Sequence, residues 1–418
     1  MSTVLEYYRS PVRYLAARAA AGRFGGRLAP VVANEITPLR LVSRAEPVRP
    51  GPDWIRLRPL LSGICGSDLA LLTGRSSPYL GPLVSLPFVP GHEVVAQTLD
   101  PAPGLPKGSR VVVDPVLSCS VRGLPPCTDC ANGRHSRCGH VAGGALAAGI
   151  QTGFCADTGG GWSQSMVAHR NQLHPVPEHL EDRVAVLIEP MACALHAVRE
   201  AEVPPGSSVV VIGAGTIGLL TVLALRTLTA AGPVYVVAKY GHQRERAVRL
   251  GATAVLSPER TARALRLAEG GTLHTPEIGT EYLLGGVDVA FECTGGGPGL
   301  DQALRVVRAG GTVVLSGMPA GPVDLTPLWF RQLNLRGAYA SDSGADARPG
   351  SDPEAASGDS RRAEFALAIE TIEAAGPNGL SGHVDAVYPL ARWREALSHA
   401  IAAGRWGTGK VALNPSHD

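Results

Sequence analysis

Side chains of the types that bind zinc occur at three separate points in the chain. Cys65 supplies a thiolate, His92 an imidazole with Glu93 beside it, and Glu189 a carboxylate immediately before Pro190. Thiolate, imidazole and carboxylate are the ligands that Zn²⁺ takes in proteins. Taken singly, His92 is also explained as a hydrogen-bonded core residue, and Glu189 with Pro190 as the start of a helix. A zinc site is therefore a hypothesis that depends on the rest of the chain.

The chain contains eight cysteines in 418 residues. The first residues lack the apolar and small-residue pattern of a signal peptide, so a secreted disulfide framework is not expected. We interpret the cysteines as metal ligands in a reducing compartment and predict a cytoplasmic protein. The arginines between Arg9 and Arg27 also resemble an organelle transit segment, and the alternative is a plain N-terminal extension.

A glycine-rich motif follows a short β-branched run. Val209–Ile212 leads into Gly213-Ala214-Gly215-Thr216-Ile217-Gly218, and the sequence beyond is helical. In such a motif the first glycine makes a tight turn, the second admits a pyrophosphate to the backbone, and the third lets helix pack on strand. The helix N-terminus then faces the anion. The motif predicts a dinucleotide site formed by Gly213, Gly215, Thr216, Ile217 and Gly218.

The end of the second predicted strand indicates which dinucleotide binds. Ala238 stands where an acidic residue would hold the ribose 2′-hydroxyl, Lys239 follows it, and Arg244 lies in the next helical turn. A missing carboxylate with clustered cations suits a 2′-phosphate, so we predict NADP(H) in preference to NAD(H). The alternative is that these are solvated charges at the start of a helix.

The pattern of predicted elements changes along the chain. From about residue 38 to 186, glycine, proline and short β-branched runs predict short strands joined by irregular loops. From about 191 to 337, apolar runs alternate with helical stretches, which indicates βαβ units on a parallel sheet. A polar tract at 341–362 is predicted to be a loop before a final helix and strand. Together with the length of 418 residues, this pattern predicts an α/β protein of two or three domains.

Four motifs, in this order, resemble those of the zinc-dependent medium-chain alcohol dehydrogenases. They are Cys65-Gly66-Ser67-Asp68, Gly91-His92-Glu93, the Glu189-Pro190 step and the glycine motif at Gly213. The resemblance is to the polyol and threonine dehydrogenase branch in particular and covers about residues 38–415. It implies two domains, a GroES-like β-rich catalytic domain of residues 1–190 with 336–418 and an inserted Rossmann domain of residues 191–335 with a doubly wound parallel sheet. It also implies a homo-oligomer that is either a dimer or a tetramer.

The resemblance also implies a reaction. Zinc held by Cys65, His92 and Glu189 would polarise the oxygen of an alcohol or ketone while hydride passes between the substrate carbon and the nicotinamide at the interdomain cleft. Glu93 would be a fourth ligand or one that substrate displaces. Asp68 would orient the imidazole of His92 from behind, or it would simply cap a turn.

The family pattern is broken at the proton relay. Ser67 would begin a relay to solvent, but Leu69, Ala70 and Leu71 stand where relatives commonly have a histidine. Protons then leave through water or the cofactor ribose, or the substrate is an imine or conjugated alkene whose reduction needs no relay. The resemblance further implies that Ser316, Gly317 and Met318 lie near the nicotinamide.

The family's structural zinc lobe, formed by four closely spaced cysteines, would lie at about residues 115–140. Cys127, Cys130 and Cys138 match its spacing, but Leu124 stands where the first cysteine is expected. We predict that Cys119 takes that place, displaced by an insertion at 120–124, with His135 as the competing ligand. Four thiolates leave no coordination position for substrate, so this second zinc would be structural.

Composition argues against other classes of protein. Lys+Arg 38 and Asp+Glu 36 leave a net charge of +2, which provides no basic field for nucleic acid. The longest apolar stretch, 217–228, is interrupted by Arg226 and is too short to span a membrane. We therefore predict that the protein binds neither nucleic acid nor a membrane. A non-catalytic protein that binds zinc and nucleotide is the remaining alternative, although the three motifs that would supply the catalytic zinc ligands are intact.

The sequence says least about the substrate. Ser67, the loop at 79–88 and Trp162 are predicted to line the pocket and are mostly apolar. They suit a small-molecule secondary alcohol or ketone of moderate bulk.

Overall fold

The computed structural model describes residues 1–319, 321–342 and 363–416. The chain divides into two compact units, Met1–Glu189 with Ala340–Asp418, and Pro190–Tyr339. The loop predicted at 341–362 lies outside the described residues from 343 onward. The strands are β1 (Ser2–Tyr7), β2 (Leu39–Arg44), β3 (Trp54–Gly63), β4 (Val94–Thr98), β5 (Arg110–Val113), β6 (Met166–His169), β7 (Leu173–Pro175), β8 (Val209–Ile212), β9 (Val234–Val237), β10 (Ala254–Leu256), β11 (Thr272–His274), β12 (Tyr282–Leu284), β13 (Val287–Glu292), β14 (Val307–Leu315), β15 (Asn334–Gly337), β16 (Val384–Pro389) and β17 (Lys410–Asn414).

Most of the longer described α-helices lie in the second half of the chain. None of the described helices combines the length and the apolar character that crossing a membrane requires. They are α1 (Pro11–Phe24), α2 (Ala29–Val31), α3 (Gly66–Leu72), α4 (Thr128–Ala131), α5 (Asp182–Ala185), α6 (Ile188–Ala201), α7 (Thr216–Leu228), α8 (Gly241–Arg249), α9 (Thr261–Glu269), α10 (Gly297–Val306), α11 (Thr326–Phe330), α12 (Glu364–Leu380) and α13 (Trp393–Trp406).

The first unit is built on a sheet with the strand order β16-β17-β3-β4-β5-β7, in which β6 also pairs with β3. Strand β17 runs antiparallel to β3 and parallel to β16, so a strand from the C-terminal segment is hydrogen-bonded to one from the N-terminal half. Phe88, Trp162 and Trp393 are among the residues of the apolar core beside it. The sheet therefore needs both parts of this unit.

The first residues of the chain are part of that core. Strand β1 pairs with β2, and Val4, Leu5 and Tyr7 are buried. The backbone N–H of Leu5 donates to the carbonyl of Trp162 at 2.9 Å, and the ring of Tyr7 stacks on Phe88 with 5.2 Å between centroids. The sequence predicted only an extension here, because the six residues of β1 acquire their packing from residues far along the chain.

The second unit contains a six-stranded parallel sheet with the order β10-β9-β8-β13-β14-β15. In the chain order of these strands this is 3-2-1-4-5-6, the doubly wound order of dinucleotide-binding folds. Strands β8 and β9 are buried throughout, which explains their unbroken β-branched and aromatic sequences. The predicted doubly wound sheet is confirmed. The order reverses between β8 and β13, and ligands of such sheets bind outside the carboxyl ends of the strands at that point.

Candidate metal centres and dinucleotide site

Helix α3 positions the first predicted zinc ligand. Cys65 precedes the helix, and its backbone N–H donates to Oδ2 of Asp68 at 3.0 Å. The other oxygen of Asp68, Oδ1, lies 3.6 Å from Nδ1 of His92. Oγ of Ser67 lies 3.4 Å from Nε2 of the same imidazole. One oxygen of Asp68 therefore caps the start of the helix, and the other faces His92.

Three of the four residues predicted to bind the catalytic zinc come together. One ligand atom each of Cys65, His92 and Glu93 lie within 4.8 Å of one another, and His92 and Glu93 are buried. Glu189 is not a member of this group of described residues. Its carboxylate nevertheless acts on the site, because its charge contributes to raising the pKa of His92 and of Lys410.

Lys410 is a residue of this site that the sequence analysis missed. Its Nζ lies 2.7 Å from Oε1 and 2.5 Å from Oε2 of Glu93. Only 4% of the lysine side chain and 2% of the glutamate side chain are exposed. One signal was available, since the chain has only Lys107, Lys239 and Lys410 among 38 basic residues. Where arginine is the rule, a lysine in an apolar strand indicates a specific requirement.

The charges around His92 and Lys410 favour a cation. Burial alone would lower the pKa of His92, but Asp68, Cys65 and Glu189 raise it well above its usual value. Burial also opposes the charge on Lys410, yet Glu93 above all raises the pKa of that ammonium. The carboxylates and the thiolate that raise these pKa values would also attract a divalent metal ion. The thiolate, imidazole and carboxylate donors fit zinc.

The four predicted structural-zinc cysteines form a second group. One sulfur each of Cys119, Cys127, Cys130 and Cys138 lie within 4.8 Å of one another. The Sγ atoms of Cys119 and Cys138 are 3.6 Å apart, and the backbone N–H of Cys127 donates to Cys119 Sγ at 3.4 Å. His135 is outside this group of described residues. The geometry thus brings Cys119 to the place that the spacing alone left open.

A histidine that was not predicted also contacts this group. Nδ1 of His140 lies 3.2 Å from Sγ of Cys119, and the His140 backbone N–H donates to Cys138 Sγ at 3.5 Å. The available signal was its position two residues after Cys138. The buried guanidinium of Arg122 holds the neighbouring loop by donating to the carbonyls of Gly143 at 2.9 Å and Gly149 at 2.6 Å.

The glycine motif joins β8 to α7. Gly213 has φ +98°, a conformation that side chains disfavour, and a Cβ there would lie 2.6 Å from Cγ2 of Thr294. A Cβ at Gly215 would meet open space, whereas one at Gly218 would overlap the carbonyl oxygen of Gly213. The turn and the close packing therefore need glycine at the first and third positions. Thr216 and Ile217 are the first two residues of α7.

The predicted 2′-phosphate residues follow β9. Ala238 is buried, and Lys239 is exposed with Nζ 5.7 Å from the centre of the Tyr240 ring. Arg244 lies in the first part of α8. At the end of β14, the backbone N–H groups of Ser316 and Gly317 donate to the carbonyl of Glu292 at 3.0 and 2.9 Å, and Met318 follows them.

The predicted substrate pocket needs correction. Trp162 and Phe88 are 0% and 2% exposed, so they are core residues and do not line an open pocket. Leu69 and Leu71, which replace the expected relay histidine, pack against the same core. The sequence could not separate core from pocket here, because both are lined by aromatic side chains. Tyr79, at the other end of the predicted loop, is 81% exposed.

Comparison with known proteins agrees with these features. Two family models match, the alcohol dehydrogenase GroES-like domain over residues 51–178 and the zinc-binding dehydrogenase over residues 216–349. A sorbitol dehydrogenase of Arabidopsis thaliana is 30% identical over 303 residues, which is 69% of this chain and 74% of the relative. The GroES-like domain predicted for the β-rich half is thereby confirmed.

Two solved structures share the fold. The 2R,3R-butanediol dehydrogenase of Bacillus subtilis has a TM-score of 0.68 at 20% identity, covering 99% of this chain and 100% of that one. A protein of Sinorhizobium meliloti 1021, described as a zinc-binding dehydrogenase and bound to NADP, has a TM-score of 0.66 at 26% identity, covering 93% and 98%. The chain therefore belongs to the zinc-dependent medium-chain dehydrogenases, in their polyol dehydrogenase-like branch, and is an NAD(P)-linked oxidoreductase that transfers hydride between an alcohol and a ketone.

Proposed function

We propose that the chain oxidises a polyol or another secondary alcohol, or reduces the corresponding ketone, with NADP(H) as its preferred cofactor. The observation that carries this proposal is the convergence of Cys65, His92 and Glu93 within 4.8 Å, with Asp68 behind the imidazole. The names of the sorbitol and butanediol dehydrogenases it resembles support the substrate class.

Cys65, His92 and Glu189 would hold the catalytic zinc. When bound, the zinc would polarise the substrate oxygen and the nicotinamide would carry the hydride. Asp68 would orient the His92 ring, and Ser67 would take up or release the proton. Lys410 neutralises Glu93, which supports the role of an exchangeable rather than a permanent ligand. Cys119, Cys127, Cys130 and Cys138 would hold a second, structural zinc.

The dinucleotide would lie on the glycine motif, with its pyrophosphate at the start of α7. Lys239 and Arg244 would contact the 2′-phosphate, since the buried Ala238 offers no carboxylate to a 2′-hydroxyl. The NADP in the related Sinorhizobium protein supports this preference. Ser316, Gly317 and Met318 would lie beside the nicotinamide.

We also propose that the protein is a cytoplasmic homo-oligomer with a catalytic domain and a cofactor domain. The bounds predicted from the sequence, 1–190 with 336–418 and 191–335, would divide β15 between the two domains, so we place the second boundary after Tyr339. Strand β15 is at the edge of its sheet, and an exposed parallel edge offers unpaired backbone groups to a second copy. Nearby on the chain, Trp329 and Phe330 are 79% and 65% exposed, which is unusual for large apolar side chains in a monomer.

The first test is a fluorescence titration of the purified protein with NADPH and NADH. We expect at least about tenfold tighter binding of NADPH, a difference of about 1.4 kcal/mol. Lys239→Ala should abolish that preference. Lys107→Ala, which removes an exposed lysine of the other unit, should leave it unchanged. Turnover is then measured with sorbitol and 2R,3R-butanediol.

Each result decides a different part of the proposal. A preference for NADH would show that the charges after Ala238 are merely solvated and would indicate an oxidising role. Binding of neither cofactor would refute the proposal and favour the non-catalytic alternative. Binding of NADPH without turnover of either alcohol would favour an imine or a conjugated alkene as the substrate.

A further inference from the structure

A carboxylate is completely buried at the carboxyl end of β13. Glu292, the last residue of that strand, is 0% exposed. Its Oε1 accepts hydrogen bonds from the backbone N–H of Thr294 at 2.7 Å and from the Thr294 hydroxyl, and its Oε2 accepts one from the Gly295 N–H at 3.1 Å. The side chain therefore closes the turn that follows the strand.

The partners of this carboxylate are hydrogen-bond donors, and they carry no charge. Burial raises the pKa of Glu292 from its ordinary value, while the bonds from Thr294 and Gly295 act in the opposite direction. The three donors are bonds that an ionised carboxylate accepts, although burial outweighs them and leaves the pKa raised. No cationic side chain in the described part of the chain forms an ion pair with it. A buried negative charge without a counter-charge costs free energy, so it indicates a partner outside the protein.

The position of Glu292 identifies where that partner would be. Strand β13 lies between β8, which ends at the glycine motif, and β14, which ends at the predicted nicotinamide residues. The Glu292 carbonyl accepts from the N–H groups of Ser316 and Gly317, and Thr294 lies against Gly213. Glu292 thus lies at the reversal of strand order, where the cofactor is expected.

The cofactor itself changes charge during the reaction. The nicotinamide ring is cationic when oxidised, and it becomes neutral when it accepts a hydride and its electron pair from the alcohol carbon. We propose that Glu292 is the electrostatic partner of the oxidised ring and raises the affinity for the oxidised relative to the reduced cofactor. This inference rests on the proposed function. It adds to that function a residue that sets the relative affinity for the oxidised and reduced cofactors.

The test is the ratio of the dissociation constants for NADP⁺ and NADPH, measured by titration calorimetry on the full-length protein. Glu292→Gln keeps the shape of the side chain and removes its charge. We expect it to weaken NADP⁺ binding at least about threefold more than NADPH binding, because only the oxidised ring interacts with the lost charge. Glu292→Asp keeps the charge and should keep the ratio within about twofold of the wild-type value.

Two substitutions at the exposed Thr294 make the test independent of whether Glu292→Gln folds. Thr294→Lys places an ammonium beside the carboxylate and should shift the ratio in the same direction. Thr294→Val removes the same hydroxyl without adding charge and should change both affinities equally. Equal weakening of NADP⁺ and NADPH in Glu292→Gln or Thr294→Lys would overturn the inference and leave Glu292 a purely structural residue. Failure of the wild type to bind either cofactor would instead refute the proposed function, and the inference with it.

Discussion

Lys410 and Glu93 form a buried ion pair across 317 residues of sequence, with Nζ 2.7 Å from Oε1. The lysine begins β17, and the glutamate lies between the zinc-ligand candidate His92 and β4. Neither charge would be tolerated at this depth alone, because removing an ion from water costs several kcal/mol. The pair therefore links the stability of the first unit to the candidate metal site.

Replacing Lys410 tests this dependence. Lys410→Met keeps the volume of the side chain but leaves Glu93 buried and unpaired, so we expect a loss of about 3–5 kcal/mol in the free energy of unfolding. The double variant Lys410→Met with Glu93→Gln should recover most of that loss. Urea unfolding followed by tryptophan fluorescence measures both, with Lys107→Met as the exposed control. A single variant as stable as the wild type would show that the pair contributes little.

The zinc content should distinguish the two candidate fourth ligands of the cysteine group. Cys119→Ser removes a sulfur that contacts Cys138, so metal analysis should show the loss of about one of two zinc ions per chain. His135→Ala should retain both ions. If His135→Ala loses zinc and Cys119→Ser keeps it, the ligand assignment must be reversed.

Ser67 should be required if the substrate is an alcohol or ketone. Its hydroxyl lies beside the His92 ring, and Leu69 and Leu71 offer no alternative group for the proton. Ser67→Ala should lower kcat about 10²-fold, the usual scale for a positioned acid or base. Ser67→Thr, which keeps a hydroxyl, should recover a large part of the rate. An unchanged kcat in Ser67→Ala would favour the imine or alkene reaction.

The stability of the first unit should fall in mild acid because of His174. Its ring stacks on Phe365 with centroids 4.6 Å apart, and burial lowers its pKa from 6.5 to about 4. The fold therefore favours the neutral imidazole. The corresponding stabilisation is complete above pH 6.5 and is lost as the pH falls toward 4, by roughly 3 kcal/mol at 1.4 kcal/mol per pH unit.

The variant His174→Phe isolates this contribution. The replacement keeps an aromatic ring against Phe365 but cannot take up a proton. Thermal melting between pH 7 and pH 4 should show a smaller decrease in Tm for the variant than for the wild type. Identical decreases in the two proteins would assign the acid sensitivity to other groups, including the metal ligands.

The features that could be predicted from the sequence are those that depend on residues close together in the chain. The glycine motif, the strands of β-branched residues and the closely spaced Cys127, Cys130 and Cys138 each depend on neighbours within a few residues. Their periodicity and spacing were therefore enough to predict βαβ units on a parallel sheet and a cysteine group, whereas the doubly wound arrangement was implied by the family resemblance.

The features that escaped prediction depend on residues far apart in the chain. The pairing of Lys410 with Glu93 follows from the antiparallel contact of β17 with β3, and the packing of Tyr7 depends on Phe88. His140 Nδ1 lies 3.2 Å from Sγ of Cys119, which is 21 positions earlier in the chain. No local pattern in the sequence encodes these contacts.

The place of β17 in its sheet also sets an order of events during synthesis. The second unit, Pro190–Tyr339, is continuous in sequence and has all its strands as soon as it leaves the ribosome. The first unit must wait for β17, so Glu93 stays without its cation while more than three hundred further residues are made. Contacts between residues so far apart in the sequence form slowly during folding. The first unit therefore completes its sheet only after the C-terminal segment has been synthesised.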